Sequence, residues 1–182
     1  AKLGIKNPIQ IFSGVSAGAI NVTHLASNAH DFNRASENLV NLWKDLSADK
    51  VYNTSPLSIG SIGMKWMADL SLGGITGQPA GPSLLDTAPL REFLLNAFDP
   101  PKIRERIKDM SLHALVVSAL DYHSSMTVSF TQAHEDVKMW SGSRRFAVET
   151  EVLSDHVLAS AAIPVLFPPI MVGERFYGDG CV

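Results

Sequence analysis

Apolar and polar residues follow two periods along the chain, one typical of strands and the other of helices. Short apolar runs bounded by turn residues predict buried strands, because a strand covered on both faces is apolar throughout. The predicted strands are residues 8–12, 112–120, 126–131, 138–140, 171–172 and 175–177. The first of them leads through a glycine-containing turn at 13–18 directly into a helical pattern.

Apolar residues spaced three and four apart predict helices between these strands. Asp31 is the predicted N-cap of an amphipathic helix that we expect to pack on a sheet through Phe32, Ala35, Leu39, Leu42, Trp43 and Leu46. Further helices are predicted after a Thr87 cap with Pro89 in the first turn, over 101–110, and from a Ser154 cap to Ala162, before Pro164. This alternation predicts an α/β fold in a single domain spanning residues 1–182.

The overall composition narrows the classes of function. Hydrophobic residues make up 46% and charged residues 18% of the chain, which argues against disorder. The net charge of −3 has no basic block, so nucleic acid is not an expected partner. Cys181 is the single cysteine, which excludes an internal disulfide and a cysteine-based metal site. With no signal peptide or apolar run of spanning length, we expect a cytoplasmic location.

The turn after the first strand carries the pattern G-x-S-x-G, formed by Gly14, Ser16 and Gly18. A serine on a tight strand-to-helix turn is exposed to substrate, and glycines two positions to either side relieve the crowding that side chains would cause there. The helix that follows starts with free N–H groups, of which that of Ala17 is placed to stabilise an oxyanion. The pattern indicates a nucleophilic serine, although a glycine turn with a structural serine has the same sequence.

Such a serine needs a base, and the sequence offers two kinds. A Ser-His-Asp hydrolase would use a histidine late in the sequence. His156 falls in a predicted helix, and none of the chain's six histidines follows a final strand. The candidates of that kind are His123, His134 and His156. The other candidate is Asp179, which ends a short strand and is flanked by glycines that permit close approach. An Asp-Gly pair alone is also typical of a simple turn.

Several segments together resemble the patatin-like phospholipase family. Residues 13–21 (SGVSAGAIN) are similar to its nucleophile elbow, and residues 159–169 (ASAAIPVLFPP), with Pro164, to its third conserved block. Asp179-Gly180 is similar to its Asp-Gly-Gly or Asp-Gly-Ala motif, and residues 85–90 (LDTAPL) to a further stretch. These segments occur in the family's order and span nearly the whole chain.

The resemblance implies a three-layer α/β/α sandwich with a mostly parallel central sheet and a Ser-Asp dyad that works without histidine. Ser16 would be the nucleophile and Asp179 the base, with Gly14, Ala17 and Gly18 forming the elbow and part of the oxyanion hole. No metal and no cofactor is implied. The substrate would be a phospholipid or another acyl-ester lipid, which makes peripheral contact with a membrane an expected property.

Two departures from the family pattern bear on activity. The family's glycine-rich oxyanion loop precedes the elbow strand, and the chain is expected to lack it, as a domain truncated at both ends. Position 181 is Cys where the family has Gly or Ala. An alternative is therefore a non-catalytic member that binds lipid or a partner protein through the same fold. A missing first strand would also expose a sheet edge, so we expect poor solubility or self-association.

Two other features each have a structural and a lipid-related interpretation. A helical face formed by Ile59, Ile62, Trp66 and Leu70 either packs in the core or covers the site as a lipid-facing cap. Arg144-Arg145 is either a solvated pair or a contact for a phospholipid head group.

Overall fold

The computed structural model describes residues 9–52 and 87–180. Its strands are β1 (Ile11–Val15), β2 (Ala114–Asp121), β3 (Met126–Ala133), β4 (Arg145–Glu149), β5 (Ile170–Val172) and β6 (Arg175–Asp179). Its helices are α1 (Ala17–Ser27), α2 (Phe32–Lys44), α3 (Ala88–Ala97), α4 (Pro100–Lys108) and α5 (Ser154–Ala161), with short 3-10 turns at Ala29–Asp31 and Ala48–Lys50. The predicted α/β fold class is confirmed. The apolar face predicted between residues 59 and 70 lies outside the described residues, as do the first two residues of the segment 85–90.

The strands form one mixed sheet in the order β4-β3-β2-β6-β5. Strand β3 pairs along the whole length of β2, so β1 and β6 share the opposite edge of β2. Strand β1 is parallel to β2 and β4 is parallel to β3, whereas β3 and β6 are antiparallel to β2 and β5 to β6. The two strands on one edge of β2 run in opposite directions and meet at their carboxyl ends.

The core lies between one face of this sheet and a layer of helices. Residues paired across strands have side chains on the same face. That face contributes Phe12, Leu115, Val117 and Phe130, and helices α1, α3, α4 and α5 contribute Ile20, Leu94, Ile103 and Val157 to one continuous cluster. Each fully buried side chain of this size stabilises the fold by about 1.5–3 kcal/mol. Within the described ranges, no helix is long and apolar enough to cross a membrane.

Helix α2 begins as predicted, but most of it does not pack on the sheet. The Asp31 side chain accepts a hydrogen bond from the N–H of Arg34 at 3.2 Å, which confirms the cap. Phe32 stacks on Phe12 of β1 with ring centroids 6.4 Å apart. Further along, Trp43 donates to Asn21 of α1 at 2.6 Å. Because α1 already covers β1, α2 packs mainly on α1 and only its first turn reaches the sheet.

Two predicted local features are wrong. Residues 138–140 are not a strand; the strand that follows β3 is β4, an edge strand whose side chains are exposed or half-buried and give no strong apolar signal. The backbone N–H of Ala147 donates to the Trp140 carbonyl at 2.8 Å, so the segment folds back on β4. Ser154 is the first residue of α5 and not its cap, because Leu153 occupies the N-cap position. Thr87 does occupy the N-cap of α3, without a side-chain hydrogen bond.

Asp121, at the end of β2, joins the β2–β3 turn to β6. Its carboxylate is 0% exposed. It accepts hydrogen bonds from the N–H of His123 at 2.9 Å, the hydroxyl of Ser124 at 2.7 Å and the guanidinium of Arg175 at 2.7 Å. Burial raises its pKa, but these hydrogen bonds and the Arg175 charge outweigh burial and hold the pKa below the ordinary value. The ionised carboxylate therefore stabilises the end of the sheet.

We predict that Asp121→Asn lowers the free energy of unfolding by about 2 kcal/mol at pH 7, since the charged acceptor is lost while Arg175 stays partly solvated. A depressed folded-state pKa contributes stability above the unfolded value of about 4, and this contribution disappears as pH falls through the folded pKa. Urea unfolding at pH 7 and below pH 4 should show the gap from wild type shrinking with acidification. The exposed neighbour Glu174, changed to Gln, is the control. A gap that does not depend on pH would contradict this role.

Candidate active site

Ser16 occupies a sharp turn between β1 and α1. Val15 is the last residue of the strand and Ala17 the first of the helix, so Ser16 is the single residue that joins them. Its φ of 56° and ψ of −133° lie in a region that side chains rarely adopt, which costs on the order of 1–3 kcal/mol. Ser16 is half-buried. The predicted strand-turn-helix arrangement is present, with the strain expected of an exposed nucleophile.

Gly14 is required by the closeness of the helix. A Cβ at this position would lie 2.6 Å from the carbonyl carbon of Gly18 and 2.7 Å from Cγ2 of Val22. Neither real Cβ atoms nor backbone carbonyls tolerate such contacts, so a side chain here would push α1 away from β1. The requirement does not extend to Gly18, where a Cβ would meet no atom of the described residues within 4 Å.

Ser160, near the end of α5, holds the strained turn in place. The backbone N–H of Ser16 donates to the carbonyl of Ser160 at 3.2 Å and to its hydroxyl at 3.0 Å. The Ser160 hydroxyl in turn donates to the carbonyl of Ser118 on β2 at 2.6 Å. Ser160 is 0% exposed. Sequence reasoning missed this positioning role; a small polar residue inside the otherwise apolar run 157–162 was the available signal.

Asp179 reaches the same place along β2. Val15 pairs with Ser118 and Asp179 pairs with Ala119, so the ends of β1 and β6 occupy consecutive positions on one edge of β2. Consecutive positions are about 3.3 Å apart along a strand. The pairing with Ala119 also directs Asp179 to the face covered by the helices. The sheet therefore brings the two predicted catalytic residues, Ser16 and Asp179, together.

The last turn of α5 also anchors Asp179. Its backbone N–H donates to the carbonyl of Ala162 at 2.8 Å, and the residue is only 5% exposed. Ser160 and Ala162, two residues apart, thus fix the backbones of Ser16 and Asp179 respectively. The segment that resembled a conserved block serves as a common support for the candidate nucleophile and base.

Gly180 lies against the elbow strand. A Cβ there would approach Cγ2 of Val15 at 2.9 Å and the carbonyl oxygen of Ser118 at 3.0 Å. The glycine after the aspartate is therefore required by close packing beside Ser16, which a simple surface turn would not demand. Cys181 lies outside the described residues.

Tyr122 is a neighbour of the aspartate that sequence reasoning did not identify. Its phenol lies against Gly178, where an added Cβ would overlap the ring. Burial, and secondarily the negative charge of Asp179, raise the pKa of Tyr122. Like an ordinary tyrosine, Tyr122 is uncharged at neutral pH.

The first turn of α1 supplies the candidate oxyanion donor. The N–H groups of a first turn have no acceptor within the helix. The backbone N–H of Ala19 donates to the Ser16 carbonyl at 2.9 Å. Ala17, at the first helical position, is exposed. No acidic residue lies in this turn to compete for the positive end of the helix. The Ala17 N–H is thus placed where a substrate carbonyl oxygen could accept from it.

The three histidines considered as alternative bases have partners other than Ser16 in the described structure. Nδ1 of His156 accepts the backbone N–H of Leu153 at 2.9 Å, and burial lowers the pKa of this ring. His134 contacts Asp136 beyond the opposite end of β3. His123 is exposed in the β2–β3 turn, and its backbone N–H donates to the Asp121 carboxylate. The described geometry favours the carboxylate as the base of Ser16.

The chain after α5 carries exposed apolar side chains. Helix α5 ends before Pro164, as predicted. In the turn that follows, Ile163, Val165 and Leu166 are exposed, and Val165 has a φ of 71° with 65% of its surface accessible. This turn directly follows Ala162, the residue that anchors Asp179. An apolar surface therefore lies beside the candidate site.

The chain matches one family model over almost its whole length. The model is described as patatin-like phospholipase and matches residues 2–182. A search of curated proteins found no match. The family match covers both Ser16 and Asp179.

We predict that Gly14→Ala destabilises the fold by about 1–3 kcal/mol, because the methyl group must displace the backbone of Gly18. Gly18→Ala is the matched control, and it should be neutral or slightly stabilising, since alanine is favoured over glycine in a helix. Urea unfolding of both variants measures the difference. Equal stabilities for the two variants would show that β1 and α1 are not as close as described.

Proposed function

Since the chain belongs to the patatin-like phospholipase family, we propose that it is a lipid acyl hydrolase that uses Ser16 as nucleophile and Asp179 as base. The observation that carries this proposal is the shared edge of β2, where Val15, which precedes the strained Ser16, and the buried Asp179 lie at consecutive positions. One shared edge and one supporting helix turn hold both residues. Such preorganisation is what a two-residue catalytic site requires.

The proposed reaction has two stages. In the first, the Ser16 hydroxyl attacks the ester carbonyl while the Asp179 carboxylate accepts its proton, and the Ala17 N–H donates to the developing oxyanion. Collapse of this intermediate breaks the ester C–O bond, and Asp179 returns the proton to the departing alcohol. An acyl group then remains on Ser16.

In the second stage, Asp179 removes a proton from a water molecule, which attacks the acyl-serine carbonyl. The second tetrahedral intermediate releases a fatty acid and restores the Ser16 hydroxyl with the proton held by Asp179. No metal or cofactor takes part in the proposed steps.

The exposed apolar turn at Ile163, Val165 and Leu166 supports a lipid as the substrate. These side chains begin one residue after Ala162, the anchor of Asp179, and can contact the acyl chains of a phospholipid or another acyl ester. The same surface supports a peripheral contact with a membrane, since apolar side chains can enter the interface between head groups and acyl chains. We propose a cytoplasmic protein that meets its substrate at such a surface.

A second candidate function is lipid binding without turnover. The exposed apolar turn favours it as well, because acyl chains would contact Ile163, Val165 and Leu166 whether or not Ser16 reacts. The two functions differ in their dependence on Ser16: hydrolysis requires its hydroxyl, whereas binding through the turn does not.

We predict that a fluorophosphonate probe labels the full-length protein once, and that Ser16→Ala abolishes the labelling and the hydrolysis of phospholipid vesicles. Asp179→Asn should lower both rates by about 10²–10⁴, because proton transfer is lost while the fold is kept. Intact-mass spectrometry and fatty-acid release are the measurements.

Matched controls separate chemistry from folding. Ser13→Ala changes an exposed serine of the same strand and Asp155→Asn a surface carboxylate of α5. Both should retain labelling and turnover. Labelling retained in Ser16→Ala would overturn the nucleophile. Vesicle binding without labelling or turnover in the wild type would replace the hydrolase by the binding function.

A further inference from the structure

Two histidines and an aspartate lie together at the end of the sheet remote from Ser16. His113 immediately precedes β2 and His134 immediately follows β3, so they extend the antiparallel pairing of Ala114 with Ala133. The backbone N–H of His134 donates to the His113 carbonyl at 2.9 Å. Their rings stack with centroids 5.6 Å apart and an interplanar angle of 17°. Asp136 faces both rings from the segment after β3.

The candidate ligand atoms of this cluster already converge. Oδ1 of Asp136 lies 2.9 Å from Nδ1 of His134 and 3.3 Å from Nε2 of His113. The three ligand atoms all lie within 4.8 Å of one another. An ion with bonds of 2.0–2.1 Å separates neighbouring ligands by about 3.4 Å when tetrahedral and about 2.9 Å when octahedral. Small side-chain movements would therefore place all three on one ion.

We propose that His113, His134 and Asp136 form a binding site for a divalent transition-metal ion, of which Zn²⁺ is the representative. Two imidazoles and one carboxylate suit Zn²⁺, Ni²⁺ and Cu²⁺, whereas Mg²⁺ and Ca²⁺ prefer sites in which every ligand is oxygen. The histidine side chains are 26% and 31% exposed, so an ion can enter from solvent. Water completes the coordination.

The pairing geometry gives the cluster a rigid base. Both histidines are fixed by strands of the sheet interior, and only Asp136, which is 61% exposed, needs to adjust. In the metal-free protein the Asp136 carboxylate contacts Nδ1 of His134 at 2.9 Å, so it already faces the place where an ion would bind.

The proposed ion would stabilise the fold and would take no part in catalysis, because it lies far from Ser16. His113 is five residues along β2 from Ser118, which pairs beside the elbow, and five residues of strand span roughly 16 Å. An ion there would fix the chain after β3 to the start of β2. It would raise the unfolding temperature of the protein by binding the folded state. The proposed hydrolysis, which uses no metal, would be unaffected.

Titration of ZnCl₂ into the metal-free full-length protein, followed by calorimetry, tests this site. We expect one Zn²⁺ per chain at this site and a rise in unfolding temperature. Asp136→Asn and His134→Ala should each weaken binding by at least about tenfold, since even indirect partners of a metal contribute that much. His30→Ala, which removes an exposed histidine elsewhere, is the matched control and should bind as wild type does.

A second readout covers the case in which His134→Ala does not fold. Co²⁺ should give visible absorption bands with wild type that are lost in Asp136→Asn, an exposed change that leaves the strands intact. Equal Zn²⁺ affinity in wild type and Asp136→Asn would overturn the proposal. No binding at Zn²⁺ concentrations up to about 1 mM would also overturn the proposal. The three residues would then form a hydrogen-bonded cluster only.

Discussion

The edge of β2 that β1 and β6 share is the constraint on which the site depends. A parallel strand and an antiparallel strand approach this edge from opposite ends and stop at consecutive residues, Ser118 and Ala119. Any shift of either strand by one residue would also turn its side chains to the opposite face. The position of Asp179 relative to Ser16 is thus a property of sheet register, which the buried face of β2 fixes through its packing against the helices.

The last turn of α5 stabilises what the register brings together. Ser16 has an unfavourable backbone conformation, and the two acceptors on Ser160 offset part of its cost. Ala162 holds Asp179 from the same turn. Glycines at 14 and 180 let the helix and the strand approach closely enough for these contacts. Strain, support and close packing thus coincide at the half-buried Ser16.

The sequence predicted those parts of the site whose chemistry leaves a local pattern. Gly14 follows from a steric limit that acts within a few residues, since a side chain there would meet Gly18 and Val22. The glycines flanking Asp179 are visible in the sequence, although the contacts that require them are with residues distant along the chain. Ser160 and Tyr122 could not be assigned in this way, because their roles arise from contacts over more than 50 residues of sequence. His113 and His134 likewise meet only through strand pairing. Strand β4 was missed because an edge strand with mixed polarity lacks the apolar signal of β2.

A crystal structure of the full-length protein after reaction with a fluorophosphonate would test the proposed Ser16–Asp179 site. We expect phosphorus bonded to Oγ of Ser16, a phosphonyl oxygen within hydrogen-bond distance of the Ala17 N–H, and the Asp179 carboxylate beside the adduct. The backbone N–H of Ser16 should still donate to Ser160. An adduct on another residue, or Asp179 separated from Ser16 by a change in the register of β6, would contradict the proposed site.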